Sequence, residues 1–187
     1  MDTQAIWRSE FGDEYHKRNF VDWQRRIPFF KHILEITGAR SVLEFGCGPG
    51  WNLSACRRAF PDVKSVGVEI NDDAWWQAEA AGLNVHSDLR YHSLKELIFT
   101  VGCLIHIPPK NIDQVMGDLI ERSYRYVMAV EYHADKETEI EYRGQMGLLW
   151  KRPYIEMYEE KGLTLLETGK LQDDVGFDNC TYGLLVK

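Results

Sequence analysis

The sequence predicts an α/β fold in which a mostly parallel, seven-stranded sheet has helices on both faces and ends in an antiparallel strand pair. Three observations support this prediction. Short apolar runs alternate with segments of helical periodicity, which is typical of doubly wound sheets. A glycine-rich turn follows the first run, and the last two runs have no glycine-capped helix between them.

The first half of the chain supplies two helices and two strands. Apolar residues at helical spacing run from about Val21 to Thr37, and Gly38 is a natural C-terminal cap. A β-branched and apolar strand follows at Arg40 to Phe45, and glycines end it. Leu53 to Phe60 has the pattern of a helix, and Lys64 to Ile70 that of the second strand.

The second half continues the alternation with less regular punctuation. The expected helices are Asp73 to Ala81, a short one around Leu94 to Glu96, and Ile112 to Arg122. The expected strands are a weak one at Leu83 to His86, a strongly apolar one at Leu97 to Ile107, then Tyr126 to Glu131, Leu163 to Glu167 and Tyr182 to Val186. The complete order is that of a Rossmann-like sheet with a reversed last strand.

Length and composition bound the organisation. A chain of 187 residues with 44% hydrophobic content is expected to form one domain over residues 1–187, with a helical lid region at 1–37 and the core at 38–187. The formal net charge of -7 disfavours a phosphate-backbone partner. The start lacks a signal sequence and no stretch is long enough to span a membrane, so we expect a cytoplasmic protein. We expect it to be a monomer or a homodimer.

Metal chemistry is not expected. The four cysteines, at 47, 56, 103 and 180, form no Cys-x-x-Cys pair, and structural thiols in a reducing compartment are the favoured interpretation. No two histidines have the helical spacing of metal ligands, so the sequence predicts no metal site.

The sharpest motif is Glu44-Phe45-Gly46-Cys47-Gly48-Pro49-Gly50, between the first strand and a helix. It differs from the G-x-G-x-x-G turn of nicotinamide enzymes, because its third glycine comes one residue early and an acid precedes the first. E-x-G-x-G-x-G is the form found in methyltransferases that use S-adenosylmethionine. That cofactor has a zwitterionic methionyl tail instead of a pyrophosphate. We expect Glu44 to receive its ammonium group, directly or through water, while Gly46 and Gly48 leave room for the nucleoside. An ordinary glycine-rich turn is the alternative.

Residues further along support a cofactor site. Glu69 lies at the end of the second strand, about twenty residues past the glycines, where a carboxylate bridges ribose hydroxyls. Asp88 follows the third strand and is equally well interpreted as a helix cap or as a partner of the adenine amino group. The other residues expected around the cofactor are Phe45, for which core packing is the alternative, Cys47, Gly50, Ile70 and Leu89.

The acceptor of the methyl group should lie beyond the fourth and fifth strands, since ligands of open α/β sheets bind at the carboxyl ends. His106, Glu131 and His133 stand there, and a histidine or carboxylate could take the proton of the nucleophile. A histidine packed beneath the cofactor is an equal alternative for His106.

Pro108-Pro109-Lys110 superficially matches the N/D-P-P-Y/F motif of enzymes that methylate DNA amino groups. Ile107 replaces the required Asn or Asp, and Lys110 replaces the stacking aromatic residue. A flipped base would therefore lack its usual partners.

The chain resembles the pseudaminic acid biosynthesis-associated methylase family of class I methyltransferases over nearly its full length. The resemblance lies in Trp7 to Asn19, the glycine loop, Gly102 to Ile107, Glu131-Tyr132 and Glu141 to Gly144. It departs at Leu94 to Ile98, where the family has Phe-Asp-Leu-Val.

This resemblance implies a cytosolic enzyme of surface-sugar pathways whose acceptor is a sugar, a nonulosonic acid or a nucleotide sugar. It implies that Tyr15, Arg18 and Asn19 form a lid over the cofactor or acceptor. It also implies that Tyr142 and Arg143 reach the acceptor, with Arg143 pairing with a carboxylate or phosphate.

Three functions remain open at this point. The leading one is an S-adenosylmethionine-dependent methyltransferase with a small, sugar-like acceptor. A nucleic-acid or nucleobase methyltransferase and a non-catalytic cofactor-binding module are the alternatives.

Overall fold

The computed structural model describes residues 3–91 and 93–187, with only the backbone of residue 91. A seven-stranded sheet forms its centre. Its strands are β1 (Ser41–Phe45), β2 (Lys64–Val68), β3 (Val85–His86), β4 (Lys95–Val101), β5 (Ser123–Glu131), β8 (Thr164–Leu171) and β9 (Cys180–Val186), and a separate two-stranded ribbon consists of β6 (Thr138–Glu139) and β7 (Trp150–Lys151).

The strand order in the sheet is β3-β2-β1-β4-β5-β9-β8. The first five strands pair in parallel, and β9 runs antiparallel between β5 and β8. The predicted fold class is therefore confirmed, including the reversed last strand. The order changes direction at β1 and β4, which creates a crevice at the carboxyl ends of these strands.

Helices cover both faces of the sheet. They are α1 (Thr3–Trp7), α2 (Glu10–Arg18), α3 (Ile27–Thr37), α4 (Trp51–Ala59), α5 (Asp72–Ala80), α6 (Pro109–Arg122) and α7 (Tyr154–Glu160). Alternate residues of β1 point to opposite faces: Val42 packs with Phe30 and Leu53 of α3 and α4, whereas Leu43 packs with Met116 of α6. The sheet thus separates two apolar cores.

The helix predicted at Val21 to Thr37 begins later than expected. Trp23–Arg26 is a 3-10 turn, and the α-helix starts at Ile27 with Pro28 in its first turn. Proline favours the first turn of a helix because its missing N–H would have no partner there. Gly38 has a φ of 63° and ends α3, as predicted.

The short helix predicted around Leu94 to Glu96 is wrong, because Lys95 and Glu96 open β4. The carboxylate of Glu96 accepts the N–H groups of Arg40 and Ser41 at 2.7 and 3.0 Å. The backbone N–H of Glu96 in turn donates to Ser41 Oγ at 3.1 Å. These contacts join the start of β4 to the start of β1 and outweigh local helix propensity.

The strand predicted from Leu97 to Ile107 is too long. It ends at Val101, Gly102 follows with a φ of 62°, and Leu104–His106 is a 3-10 turn. The carboxylate of Glu131 accepts the N–H groups of Cys103, Leu104 and Ile105 at 3.1 to 3.3 Å. A buried carboxylate thus replaces the strand partners that these amides would otherwise need.

Several elements had no counterpart in the prediction. They are α7, the β6–β7 ribbon, and a 3-10 turn at Asp173–Val175 that ends at Gly176 between β8 and β9. That turn contradicts the expectation that no glycine-capped helix lies between the last two strands. In the described ranges, none of the helices has the length and hydropathy needed to cross a membrane.

The two N-terminal helices lie against the crevice. Ser9 caps α2, accepting the N–H of Phe11 at 3.4 Å. Asn71, which caps α5, donates from its amide to the Trp7 carbonyl at 3.1 Å and to Asp13 at 2.7 Å. The loop after β2 is therefore fastened to α1 and α2.

Candidate active site

A cavity of about 910 Å³ lies at the carboxyl ends of β1, β2 and β4. The glycine loop and the residues after β2 form one wall, and the segment from Val101 to Pro108 forms another. Trp7, Tyr15 and His16 of the N-terminal helices close the third side. Pockets that bind small molecules typically have this size, and in open α/β sheets they lie at this position.

The glycine loop turns tightly between neighbouring strands. Gly46, Gly48 and Gly50 have φ values of 72, 53 and 81°, which side chains rarely adopt. A Cβ at Gly46 would stand 2.2 Å from Cys103 Sγ, and one at Gly50 would stand 2.0 Å from Leu83 Cδ1. Gly46 and Gly48 line the cavity, whereas Gly50 is the N-cap of α4 and lies next to Leu83.

Glu44 is buried at the floor of this cavity. Its Oε1 accepts a hydrogen bond from Asn52 Nδ2 at 2.6 Å, and its Oε2 is buried with no hydrogen-bond partner among the described residues. Burial raises the pKa of Glu44 to about 8, although the Asn52 contact and the charge of Arg26 oppose the shift. An unpaired carboxylate oxygen at this position fits the ammonium group that the sequence assigned to it.

Glu69 lies just past the end of β2 and faces the same cavity. Its Oε2 accepts the Gly48 N–H at 2.7 Å, and its Oε1 accepts the N–H groups of Ile70 and Asn71, each at 2.8 Å. Burial raises its pKa, and these three donors oppose the rise. Oε2 accepts one hydrogen bond from the described residues, so lone pairs remain for ribose hydroxyls.

Not every residue predicted for the cofactor lines the cavity. Phe45, Cys47 and Ile70 do, whereas Asp88 and Leu89 are not among its described lining residues. Asp88 pairs with Arg90, accepting from its backbone N–H at 2.8 Å and from its guanidinium, and these bonds lower its pKa to about 2. These are local contacts between a side chain and the residue two positions on, of the kind found in turns.

The lid residues implied by the resemblance divide in the same way. Tyr15 and Asn19 line the cavity. Arg18 is exposed, and its guanidinium lies 5.8 Å from the centre of the Phe11 ring. This last residue of α2 is not among the described lining residues of the cavity.

His106 lines the cavity in a defined protonation state. Its Nδ1 lies 2.7 Å from the Leu148 carbonyl oxygen, which can only accept, so Nδ1 carries the proton and Nε2 is free to accept. Burial lowers its pKa to about 4 and keeps the ring neutral. The rings of Trp7 and Tyr15 lie 4.4 and 5.9 Å from it, centre to centre.

Three other residues predicted for the acceptor, Glu131, His133 and Arg143, are not among the described lining residues of the cavity. Glu131 binds the amides of the turn that carries His106, and burial raises its pKa to about 7. His133 lies 3.4 Å from Asp135 and borders a second, much smaller pocket. Arg143 is exposed in a left-handed turn with a φ of 56°, although the neighbouring Tyr142 ring lies 5.7 Å from His106.

Sequence reasoning missed Arg26, Asn52, Trp7 and His16, which all line the cavity. Asn52 Oδ1 accepts from Arg26 Nη1 at 2.7 Å and so connects Arg26 to Glu44. Asn52 stands on the first turn after the glycine loop, and this position was the one available signal. Among the described residues, no cluster of His, Cys, Asp or Glu could hold a metal ion.

Comparison with solved structures shows which proteins share this architecture. The magnesium protoporphyrin IX methyltransferase of Synechocystis PCC 6803, solved with bound S-adenosylhomocysteine, matches with a TM-score of 0.75 at 12% identity, over 98% of this chain and 97% of that chain. The chain has the class I methyltransferase fold.

Two further methyltransferase folds have similar scores. The 1,6-didemethyltoxoflavin-N1-methyltransferase of Burkholderia thailandensis matches with a TM-score of 0.74 at 16% identity, over 98% of this chain and 88% of that chain. The sugar N-methyltransferase KedS8 of Streptoalloteichus sp ATCC 53650 matches with a TM-score of 0.69 at 16% identity, over 95% of this chain and 93% of that chain. At such identities the likeness establishes the methyltransferase fold alone.

No protein-family model matches the sequence, and no curated protein matches it. The resemblance to the pseudaminic acid methylases therefore has no support from these comparisons.

Proposed function

We propose that this protein is an S-adenosylmethionine-dependent methyltransferase whose acceptor is a small molecule. The observation that carries this proposal is the pair of buried carboxylates, Glu44 and Glu69, which lie at the ends of two adjacent strands and line the same cavity. One has an unpartnered oxygen, and the other holds the glycine loop in place.

The described residues suit the two ends of the cofactor. Glu44 would bind the ammonium of the methionyl tail, and Glu69 would accept hydrogen bonds from the ribose hydroxyls. When bound, the cofactor supplies an electrophilic methyl group on a sulfonium. Gly46 and Gly48 keep the floor of the cavity free of side chains, so the nucleoside can approach the backbone closely.

His106 is the best-placed base for the acceptor. Its neutral ring faces the cavity with Nε2 as a proton acceptor, and the nucleophilic O–H or N–H must lose a proton during methyl transfer. The rings of Trp7 and Tyr15 beside it would exclude water from the reacting atoms. Glu131 would act through the turn that it holds, while roles of His133 and Arg143 stay predictions from the sequence.

For the acceptor we propose a sugar, a nonulosonic acid or a nucleotide sugar of a cytosolic surface-polysaccharide pathway. The polar side chains of Lys110, Asn111, Gln114 and Asp118 on α6 line the outer part of the cavity. Such a wall suits a molecule with several hydroxyl groups. The sequence resemblance to pseudaminic acid methylases gives the same class, and one structural neighbour is a sugar N-methyltransferase.

The first experiment titrates the purified protein calorimetrically with S-adenosylmethionine and, separately, with NADH. Micromolar binding of S-adenosylmethionine alone supports the proposal, and no binding would refute it. Gly48→Val is the variant expected to lose binding, because its side chain would enter the cavity beside His16, whose Cε1 lies 3.1 Å from a Cβ there. Gly82→Val is its control, since Gly82 also has a positive φ, 73°, but lies in open space.

A second experiment addresses the acceptor. Methyl-labelled S-adenosylmethionine is incubated with nucleotide sugars, nonulosonic acids, DNA and RNA, and the label is followed by mass spectrometry. Label on a sugar-like compound, lost in His106→Ala, supports the proposed class. Label on a nucleic acid alone would overturn it.

A further inference from the structure

Arg26 is a buried cation that forms no ion pair with a carboxylate of the described residues. Its residue is 8% exposed, and no described carboxylate forms an ion pair with it. Its Nε donates to the Gly176 carbonyl at 2.7 Å, and its guanidinium carbon lies 4.3 Å from the centre of the Phe177 ring. A buried charge is costly unless it is paired, so this guanidinium is a candidate for an anionic ligand.

The free part of this guanidinium belongs to the cavity. Arg26 lines the cavity, yet only Nε and Nη1 form hydrogen bonds with described residues. A guanidinium has five N–H donors in a planar fork, so Nη2 and the second hydrogen of Nη1 remain available. Asp178 also lines the cavity, but its carboxylate accepts a hydrogen bond from Tyr132 and not from Arg26.

One amide group separates Arg26 from Glu44. Asn52 Oδ1 accepts from Arg26 Nη1 at 2.7 Å, and Asn52 Nδ2 donates to Glu44 Oε1 at 2.6 Å. These two bonds fix the orientation of the amide and hold a cation and an unpartnered carboxylate oxygen side by side. An α-amino acid presents the complementary pair, because its carboxylate and ammonium stand on one carbon.

We propose that Arg26 binds the α-carboxylate of the amino-acid tail of the cofactor, beside the ammonium site at Glu44, with Asn52 as the residue that positions both. This inference rests on the proposed function. It gives Arg26 a role in distinguishing a complete methionyl tail from one that lacks its carboxylate. Charge-assisted, planar contacts between arginine and carboxylate are among the strongest hydrogen bonds in proteins.

The test compares three ligands by calorimetry: S-adenosylmethionine, decarboxylated S-adenosylmethionine and 5′-methylthioadenosine. The second lacks the carboxylate, and the third lacks both charged groups. We expect the wild-type protein to bind S-adenosylmethionine at least tenfold more tightly than the decarboxylated ligand. Arg26→Met should lose that preference, with its affinity for the other two ligands changed by less than about threefold.

Arg25→Met is the matched control, since Arg25 is exposed on the same 3-10 turn and is not in the cavity lining. It should keep the wild-type preference. Arg26→Lys keeps the charge but not the fork and should keep part of the preference. It decides the question if Arg26→Met does not fold.

Two results would overturn the assignment. One is a wild-type protein that binds the complete and decarboxylated ligands equally well. The other is an Arg26 variant that weakens all three ligands by the same factor, which would make Arg26 a purely structural residue. A wild-type protein that binds none of the three would instead refute the proposed function itself.

Discussion

Gly46→Ala is expected to destabilise the protein, because the added methyl group would press the glycine loop against the turn after β4, which forms another wall of the cavity. The φ of 72° at Gly46 costs an alanine about 1–2 kcal/mol. The new Cβ would also stand 2.2 Å from Cys103 Sγ and 2.8 Å from Cys103 Cβ, so Cys103 must shift. Overpacking of this kind costs about 1–3 kcal/mol, which gives a total near 3 kcal/mol.

The matched control separates the two costs. Gly82 has a φ of 73°, and a Cβ added there would have nothing within 4 Å, so Gly82→Ala carries the backbone cost alone. Urea unfolding followed by circular dichroism should show at least about 1 kcal/mol more loss for Gly46→Ala than for Gly82→Ala. For a chain of this length, a loss of about 3 kcal/mol lowers the melting temperature by roughly 6–12 °C.

A second background sharpens the test. In Cys103→Ala the Sγ contact is absent and only the 2.8 Å contact remains, so Gly46→Ala should cost less there than in the wild type. Equal losses for Gly46→Ala and Gly82→Ala would refute the reasoning, because they would show that the glycine loop does not press on the turn after β4.

Three further predictions concern the site. Glu69→Gln should weaken S-adenosylmethionine binding at least tenfold. Both oxygens of Glu69 accept backbone N–H groups, so the NH₂ group of a glutamine would either face one of these N–H groups or turn away and lose the contact with the ribose; an unchanged affinity by calorimetry would contradict this. His106→Ala should lower kcat at least a hundredfold while His133→Ala keeps at least half of it, and the reverse order in a methyl-transfer assay would move the base outside the cavity. The ligand-free protein should lose unfolding free energy as the pH rises from about 4.5 to 8, because burial raises the pKa values of Glu44 and Glu131 to about 8 and about 7, so in this range the folded state holds protons that the unfolded chain has released. Between about pH 4 and 6.5 the pKa values of His16 and His106, each lowered by burial to about 4, contribute a slope of the opposite sign, so the loss is steepest above about pH 6.5. A Glu131→Gln variant whose unfolding free energy, measured by urea titration, falls with pH as steeply as that of the wild type would contradict the assignment.

The cofactor half of the site could be predicted because its signals are local. Glu44 and the glycines occupy one strand-turn-helix unit, and Glu69 follows at a spacing that the parallel pairing of β1 and β2 requires. The position of each of these residues is set by the strand at whose end it lies. The sequence pattern therefore carries the geometry without any knowledge of distant contacts.

The acceptor side of the site, and Arg26 on its cofactor side, depend on contacts that are distant in sequence. The guanidinium of Arg26 is held at the cavity by a hydrogen bond to the carbonyl of Gly176, 150 residues further along the chain, and His106 is oriented by the carbonyl of Leu148. Glu131 ends the fourth strand early by binding amides 26 to 28 residues before it. Periodicity records none of these bonds, which explains why the strand was predicted too long and Arg26 was missed.

Asn71 illustrates how strongly such contacts restrict a position. As a helix cap, it needs only an oxygen to accept the N–H of Ala74 at 2.9 Å, and Ser, Thr or Asp would serve equally well. As a fastening for α1 and α2, it also needs two N–H donors, which those residues lack. Asparagine alone among the common caps meets both demands, so almost every substitution at this position would remove one of the two functions. Replacement by aspartate would keep the oxygen that caps α5, remove both bonds to the N-terminal helices and set a second carboxylate beside Asp13.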